Sequence, residues 1–158
     1  MSRGTAKSKK RNIKPDEKFS NILISRLINY VMENGKKSVA EKIVYTAFEK
    51  AEKELKSSAN DIFEQAIKNA GPIVEVRGKR IGGANYQVPV EVSRDRKIIL
   101  AMRWIISSAK NKKGKAMADK LAEELISAYR GEGAAIKKKE ETHKMAEANK
   151  AFAHFARF

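Results

Sequence analysis

The stretch VEVRGKRIGGANYQVPVEV at positions 74–92 restricts the possible folds more than any other part of this 158-residue chain. On both sides of Gly82-Gly83, valines alternate with charged or polar residues, which is the period of a strand with two different faces. Most of the remaining sequence has the 3.6-residue apolar period of helices. The pattern therefore predicts one two-stranded arm inside a helical protein.

The register of this arm is predicted from the requirement that its valines share one face. Paired positions must then be both even-numbered or both odd-numbered, because a shift of the register by one residue moves every side chain of a strand to the opposite face. An odd loop satisfies the requirement, and we predict a three-residue connection, Gly82-Gly83-Ala84, that pairs Ile81 with Asn85 and Val76 with Val90. Pro89 cannot donate a backbone hydrogen bond, which fits a ribbon in which each strand is an edge.

The arm is expected to project from the body, because both of its strands are edges. Its outer half carries three cations beside two glycines. An isolated hairpin is marginal in water, so its base must rest on helices or its tip must be held by a partner. Arg77, Lys79 and Arg80 favour contact with phosphate, and the glycines permit close approach of the backbone. The alternative is an ordinary hairpin whose charges protect an exposed edge from aggregation.

Helical periodicity predicts the rest of the fold. The chain length fits one domain, at 15–158, which contains the arm at 73–92 and follows a basic tail at 1–14 that we expect to be disordered. The fold class is mainly α: a bundle of about six helices with a protruding two-stranded β-ribbon between helices three and four. The predicted helices start near Pro15-Asp16, at a capping box Ser38–Glu41, near Ser58, at Arg94, near Lys115 and near Ala134.

Apolar stripes predict which helix faces are buried. Helix one has the stripe Phe19, Ile22, Leu23, Leu27, Tyr30 and Val31, and the last segment has the stripe Met145, Ala148, Phe152 and Phe155. Helix four, which surrounds Arg103 and Trp104 with apolar residues, is predicted to be central and largely buried. Trp104 is therefore interpreted as a core residue, although a tryptophan can also stack on a base.

The charge of the chain indicates a polyanionic partner. Lys and Arg number 34 against 19 Asp and Glu, so the formal charge is +15 and the isoelectric point about 10.0. Between Arg77 and Lys115 the excess is sharper, with eleven basic residues against Glu91 and Asp95. The absence of cysteine excludes thiol catalysis, thiolate metal sites and disulfides. The N-terminus lacks the apolar run of a signal peptide, and we expect no membrane-spanning segment.

Catalytic and metal-binding patterns are weak or incomplete. His143 and His154 lie outside any HExxH motif, and Ser107–Lys110 matches SxxK without its companion motifs. Gly35–Ser38 resembles the end of a phosphate-binding loop but lacks the earlier glycine. We therefore expect no enzyme, no metal and no cofactor. The alternatives are a DNA-bending protein, which would need an apolar wedge at the arm tip, an RNA-processing enzyme, and a cationic membrane binder.

Four segments in order resemble one family. VEVRGKRIGGANYQVPVEV, the following LAMRWI, the earlier ENGKKSVAEKIVY and the late THKMAEANKAFAHF are similar to bacterial ribosomal protein seven of the small subunit. The resemblance covers nearly the whole chain and implies six helices with a β-ribbon after the third. It implies direct, early binding to the 3′ major domain of small-subunit ribosomal RNA, organisation of the subunit head, a cytoplasmic location on the ribosome, and neighbouring small-subunit proteins that include protein eleven.

The resemblance also implies which residues contact RNA. In the family the tail, the first and fourth helices and the ribbon supply much of the RNA-binding surface, and the ribbon tip reaches toward exit-site transfer RNA and the messenger path. The tip corresponds to Lys79, Arg80, Gly82, Gly83 and Ala84. The expected ribosomal-RNA-binding residues are Arg3, Lys9, Lys10, Arg11, Lys36, Lys37, Arg77, Lys79, Arg80, Arg94, Arg96, Arg103, Lys112 and Lys113. The chain departs from the family at its end, where Phe158 stands in place of the usual Arg-Trp pair.

Overall fold

The fold is that of a computed structural model, which describes residues 13–157 without the side chain of Arg157. The predicted architecture is confirmed there: a mainly helical domain with one antiparallel hairpin between the third and fourth helices. The predicted tail at 1–14 lies almost entirely outside the described residues. The elements are α1 (Ile22–Val31), α2 (Lys37–Leu55), α3 (Ala59–Ala70), β1 (Val74–Ile81), β2 (Ala84–Glu91), α4 (Arg94–Asn111), α5 (Met117–Tyr129), α6 (Ala134–Ala148) and a terminal 3₁₀ segment (Lys150–Arg157).

The core is organised around α5, which packs against α2, α3, α4 and α6. Its Leu121 and Leu125 are fully buried. Phe48 of α2 is buried between Phe19 and Phe63, with ring centroids 5.5 and 5.7 Å away in edge-to-face geometry. None of the helices in residues 13–157 combines the length and apolar character that a membrane span requires.

The predicted start of the first helix is wrong. Residues 17–19 form a turn in which the Asp16 carboxylate accepts hydrogen bonds from the backbone N–H groups of Lys18 and Phe19, both at 3.1 Å. Ser20 then adopts a positive φ of 51°, and Asn21 caps α1 by accepting from the N–H of Leu23 at 2.8 Å. The helix starts six or seven residues later than predicted, and its first residue, Ile22, is 46% exposed rather than part of the inner stripe.

The second and third helices differ in how well their starts were predicted. α2 begins at Lys37 with Lys36 as its N-cap and no side-chain cap, so the predicted capping box at Ser38–Glu41 is wrong. The start of α3 near Ser58 is confirmed, because the Ser58 hydroxyl accepts from the backbone N–H of Asp61 at 3.2 Å. The predicted inner face of α3 is buried throughout: Ile62, Phe63, Ala66, Ile67 and Ala70.

The predicted register of the arm is also wrong. Ile81 pairs with Ala84 across a two-residue turn, so Val76 faces Pro89 and Glu75 faces Val90. The reason lies in the turn: Gly82 and Gly83 have φ values of 56° and 88°, and a turn with two positive φ values matches the twist of the flanking strands. The even loop places the valines of β1 and β2 on opposite faces of the ribbon.

Only the outer end of the arm projects from the body. The face that carries Val88 packs against α6 and the terminal 3₁₀ segment, and Val88 is 1% exposed. Tyr86 contacts Phe152 and Phe155, and its ring centroid lies 5.2 Å from each of theirs. Phe152 and Phe155 lie on the same side of the terminal segment because residues three apart are aligned along a 3₁₀-helix. In the last predicted stripe, Phe152 and Phe155 pack on the arm, whereas Met145 is 48% exposed.

The fourth helix is less buried than predicted. Leu100, Met102, Ile105 and Ile106 face the core, but the opposite stripe is open to solvent. Arg103 is exposed on that stripe, and Trp104 is half-buried, packed against the core on one side only. Apolar residues on most sides of a helix suggest that it is buried all round. Trp104 and Ile98 contribute to that pattern although each is only partly buried, so the sequence overstated the burial of this helix.

Candidate nucleic-acid interface

Basic side chains of α4 lie beside α1 at three places. Arg94 and Lys97 line a surface hollow with Leu23 near the start of α1. Arg103 lies over the ring of Tyr30, 5.6 Å from its centroid, and Lys110 pairs with Glu33 just past the end of α1. Lys36 lines one hollow together with Lys110. These contacts place five cations on the side of the protein where α1 and α4 meet, a surface that we call the α1–α4 strip: Lys36, Arg94, Lys97, Arg103 and Lys110.

The predicted RNA-binding residues divide into two groups in the structure. The first group is exposed and forms no ion pair within residues 13–157: Lys36, Arg80, Arg94, Arg103 and Lys113. Such cations keep their full charge for a phosphate. The second group is engaged inside the protein: Lys37, Arg77, Lys79, Arg96 and Lys112.

Arg77 and Arg96 share one carboxylate, that of Glu75. Arg77 donates from Nε to Oε1 at 2.7 Å and also from Nη2, and Arg96 donates from Nε and Nη2 to Oε2, both at 3.2 Å. Burial raises the pKa of Glu75, but hydrogen bonds from the two guanidinium groups outweigh it and leave that pKa below its usual value. This Glu75 clamp ties β1 to the start of α4 and so sets the direction of the arm.

Lys112 is also held by acidic residues rather than pointing freely to solvent. Its Nζ lies 3.1 Å from Oε2 of Glu124, which is 1% exposed, and 3.7 Å from Glu123. The other oxygen of Glu124 accepts the backbone N–H of Ala135 at 3.0 Å and thus caps the N-terminus of α6. Lys112 therefore balances a buried carboxylate, whereas its neighbour Lys113 is exposed.

Two lysines are engaged more weakly. Lys37 lies 3.8 Å from Glu41 in an exposed i,i+4 pair, which contributes little and leaves the ammonium accessible. Lys79 donates to the backbone carbonyl of Phe155 at 3.1 Å, so it joins the arm to the terminal 3₁₀ segment. A neutral carbonyl does not cancel its charge.

The tip of the arm is open. Gly82, Gly83 and Ala84 are exposed, and a Cβ placed on either glycine would have no atom within 4 Å. Arg80 pairs with Asn85 on the face of the ribbon turned away from the body. The tip therefore offers bare backbone beside one free guanidinium. Four of the predicted residues, Arg3, Lys9, Lys10 and Arg11, lie outside the described residues.

His143 has a structural position at the root of the arm. Its Nε2 accepts the backbone N–H of Ile73 at 3.0 Å, so the ring is neutral there. Burial lowers the pKa of His143, and the nearby Lys139 and Lys97 lower it further. Residues 13–157 hold no group of three His, Asp or Glu side chains placed to bind a metal ion.

Sequence reasoning missed the acidic residues that hold the cations in place. Five of the eleven basic residues between Arg77 and Lys115 are paired: Arg77, Arg96, Lys110, Lys112 and Lys115. Their partners include Glu33, Glu75 and Glu124, and apart from the Arg77–Glu75 pair no local spacing reveals them. The only signal was Glu75, a single acid in the basic first strand.

Comparison with known proteins identifies the family of this chain. Residues 2–150 match the family model of ribosomal protein S7p/S5e. Among similar proteins, the small ribosomal subunit protein uS7 of Roseiflexus castenholzii is 56% identical over 91% of this chain and 92% of its own length. The uS7 proteins of Chloroflexus aurantiacus and Thermotoga maritima are 55% and 52% identical over 94% of this chain and cover 94% and 96% of their own lengths. The chain therefore belongs to the ribosomal protein S7p/S5e family, a family of structural, non-enzymatic proteins.

Proposed function

We propose that this chain is a structural protein of the small ribosomal subunit that binds the 3′ major domain of the ribosomal RNA directly and nucleates assembly of the subunit head. The observation that carries the proposal is the α1–α4 strip, in which the exposed cations Lys36, Arg94 and Arg103 form no ion pair within residues 13–157 and Arg94 lies at the root of the arm. Family membership supports the ribosomal assignment.

The proposed mechanism is binding without chemistry. Lys36 and Lys37 lie at the N-terminus of α2, where unpaired backbone N–H groups add to the attraction for a phosphate. Arg94 and Arg103 contact phosphates further along the strip. The strip reads the shape, phosphates and 2′-hydroxyls of folded RNA, because side chains cannot enter the deep major groove of an RNA helix.

The arm is proposed to reach from the RNA-bound body toward exit-site transfer RNA and the messenger path. Exposure of Gly82, Gly83 and Ala84 supports this, since bare backbone allows a close approach to a sugar-phosphate chain. Arg80 supplies charge beside the tip. Arg77, Arg96 and Lys112 serve this function indirectly, because they position the arm and α6 and contribute to the positive field around them.

Further contacts are proposed from the family resemblance. Arg3, Lys9, Lys10 and Arg11 add RNA contacts from the basic segment at 1–14. Neighbouring small-subunit proteins, protein eleven among them, are the proposed protein partners. The mixed Glu and Lys surface of α2 supports a protein-facing or solvent-facing role for that helix, since it has no excess of positive charge to offer RNA.

The test compares two double variants in equilibrium binding to a 3′ major-domain RNA fragment. R94Q/R103Q removes two charges from the strip, and K42Q/K53Q removes two exposed charges from α2. If both arginines contact phosphate, the slope of log affinity against log salt should become shallower by about 1.4–1.8 in R94Q/R103Q. The slope of K42Q/K53Q should stay near that of the original protein. Equal effects of the two pairs would contradict the proposed interface.

A further inference from the structure

A groove between α4 and α6 lies next to the α1–α4 strip. Each helix lines it with one stripe of residues spaced i, i+3, i+4 and i+7, and its volume is about 390 Å³, within the range of small-molecule sites. Ser107 of the groove is four residues after Arg103 and three before Lys110, so groove and strip are continuous on α4. The lining residues are Trp104, Ser107, Ser108 and Asn111 of α4 and Ala134, Lys137, Lys138 and Glu141 of α6.

The α4 wall of the groove carries hydrogen-bonding groups that no protein atom uses. Within residues 13–157, the indole N–H of Trp104, the hydroxyls of Ser107 and Ser108 and the amide of Asn111 have no hydrogen-bond partner. These groups are open to solvent, because every buried polar side-chain atom in that part of the chain has a hydrogen-bond partner and these groups have none. Unused donors and acceptors that converge on a groove beside an aromatic ring are typical of a ligand site.

The α6 wall is positively charged. Lys137 and Lys138 are exposed along the groove, and Glu141 is the only acid that lines it. Lys138 lies 3.4 Å from Glu141, but both side chains are more than half exposed, so this pair is weak and opens readily for a competing anion. The groove therefore has a cationic rim on one side and neutral hydrogen-bonding groups on the other.

We infer that the α4–α6 groove binds an unstacked nucleotide of single-stranded RNA. Its phosphate lies on Lys137 and Lys138, its base packs against the open part of Trp104, and its ribose and base edges meet Ser107, Ser108 and Asn111. The inference rests on the proposed function and extends the RNA surface to α6, which the family resemblance did not indicate. A helical peptide is a poorer occupant, because only Trp104 and Ala134 of the lining residues are apolar.

The experiment uses Trp104 as its own reporter, because it is the only tryptophan in the chain. The full-length protein is titrated with the 3′ major-domain RNA fragment while tryptophan emission and its quenching by acrylamide are measured. Occupation of the groove should change the emission and reduce the acrylamide quenching constant about twofold, as expected when a base covers the open part of the half-buried indole.

Two matched variants test whether the groove causes that change. K137Q/K138Q should weaken binding by about tenfold at low salt and reduce the protection of Trp104. K144Q/K150Q removes the same charge from exposed positions of the last two segments that do not line the groove, and it should protect Trp104 as the original protein does. Far-ultraviolet circular dichroism verifies that all variants are folded.

The outcomes separate this inference from the proposed function. Salt-dependent binding of the fragment with no change in the quenching of Trp104 at saturation would overturn the groove as an RNA site and leave the α1–α4 strip intact. Protection of Trp104 by a neighbouring small-subunit protein, and not by RNA, would assign the groove to a protein. If the fragment fails to bind at all, the proposed function fails and this inference with it.

Discussion

Replacing Glu75 by glutamine tests how the arm is held. The Glu75 side chain is 9% exposed, and its carboxylate accepts hydrogen bonds from both Arg77 and Arg96. Glutamine keeps the size of the side chain and one carbonyl oxygen, but it removes the negative charge that both guanidinium groups share. E75Q therefore weakens the connection between β1 and α4 without opening a cavity.

The magnitude follows from the difference between charged and neutral hydrogen bonds. A hydrogen bond to a charged group contributes roughly 1.5–3 kcal/mol and a neutral one roughly 0.5–1.5. In E75Q one arginine keeps a neutral acceptor and the other faces the amide NH2, which cannot accept, so the two together lose roughly 3 kcal/mol before solvent screening. The Arg77 and Arg96 side chains are 58% and 40% exposed, and solvent screening reduces this loss. We expect E75Q to lower the free energy of unfolding by about 1–2 kcal/mol and the melting temperature by about 3–6 °C.

The same contact predicts a pH dependence. The pKa of Glu75 is lowered in the folded protein from 4.5, so its stabilising effect is fully present above that value. It is lost as the pH falls through the folded-state pKa, because the carboxyl must then be protonated. The stability difference between the original protein and E75Q should therefore be greatest near pH 7 and should shrink below a pH of about 4.5.

Urea unfolding followed by circular dichroism measures both effects, with E91Q as the matched control. Glu91 is an exposed glutamate at the end of the other strand and forms no ion pair within the described residues. E91Q should change the unfolding free energy by less than about 0.5 kcal/mol. If E75Q behaves like E91Q, or if its deficit persists unchanged at a pH of about 3.5, the Glu75 clamp does not hold the arm.

Three further predictions concern the body of the protein and are read from urea unfolding. E124Q should lower the free energy of unfolding by about 2–4 kcal/mol, because the buried carboxylate caps α6 and pairs with Lys112. E140Q, at an exposed site on α6, should leave the free energy of unfolding nearly unchanged. G133A should destabilise the protein more than G114A, although both glycines have a positive φ. The new Cβ at position 133 would lie 2.9 Å from the Cβ of Ser127, whereas the one at position 114 would have no atom within 4 Å. Equal losses of stability would contradict this prediction. S58A should lower the free energy of unfolding by about 1 kcal/mol, because it removes the cap of α3, and S38A, inside α2, should change it very little. A larger loss in S38A than in S58A would support a capping box at Ser38.

Helices with strong periodicity were predictable from the sequence. In α3 the stripe from Ile62 to Ala70 is regular and the boundaries carry clear signals at Ser58 and Gly71, so local pattern and tertiary burial agree. In α1 the stripe continues into the turn at 17–19, because Phe19 is apolar and packs on the core without being helical. Burial is therefore readable from periodicity, but helix boundaries depend on capping contacts such as that of Asn21.

The arm shows where pattern reasoning fails. The assumption that all valines share one face requires an odd loop, yet the glycine pair favours a two-residue turn with two positive φ values. The observed turn places Val88 on the face that the body covers and Val76 beside Pro89 on the opposite face. The valines of the two strands therefore need not share one face, which alternation alone does not reveal.

The candidate interface could be predicted only as a region. The excess of cations between Arg77 and Lys115 indicates where RNA binds, but it overstates the free charge, because Glu33, Glu75, Glu123 and Glu124 engage several of them. Pairing of this kind depends on which helices become neighbours. Arg94, Arg103 and Lys113 are distinguished from Arg96 and Lys112 by the fold and by no feature of their sequence neighbourhood.

The most direct test of the central claim is equilibrium binding of the full chain to a 3′ major-domain ribosomal RNA fragment across a salt series, in competition with a scrambled RNA and a DNA duplex of the same length. Recognition of folded RNA through shape and 2′-hydroxyls predicts that the native fragment keeps a large advantage as salt rises, while the competitors are released. Equal affinities that fall together with salt would contradict the account and reduce the α1–α4 strip to a nonspecific positive field.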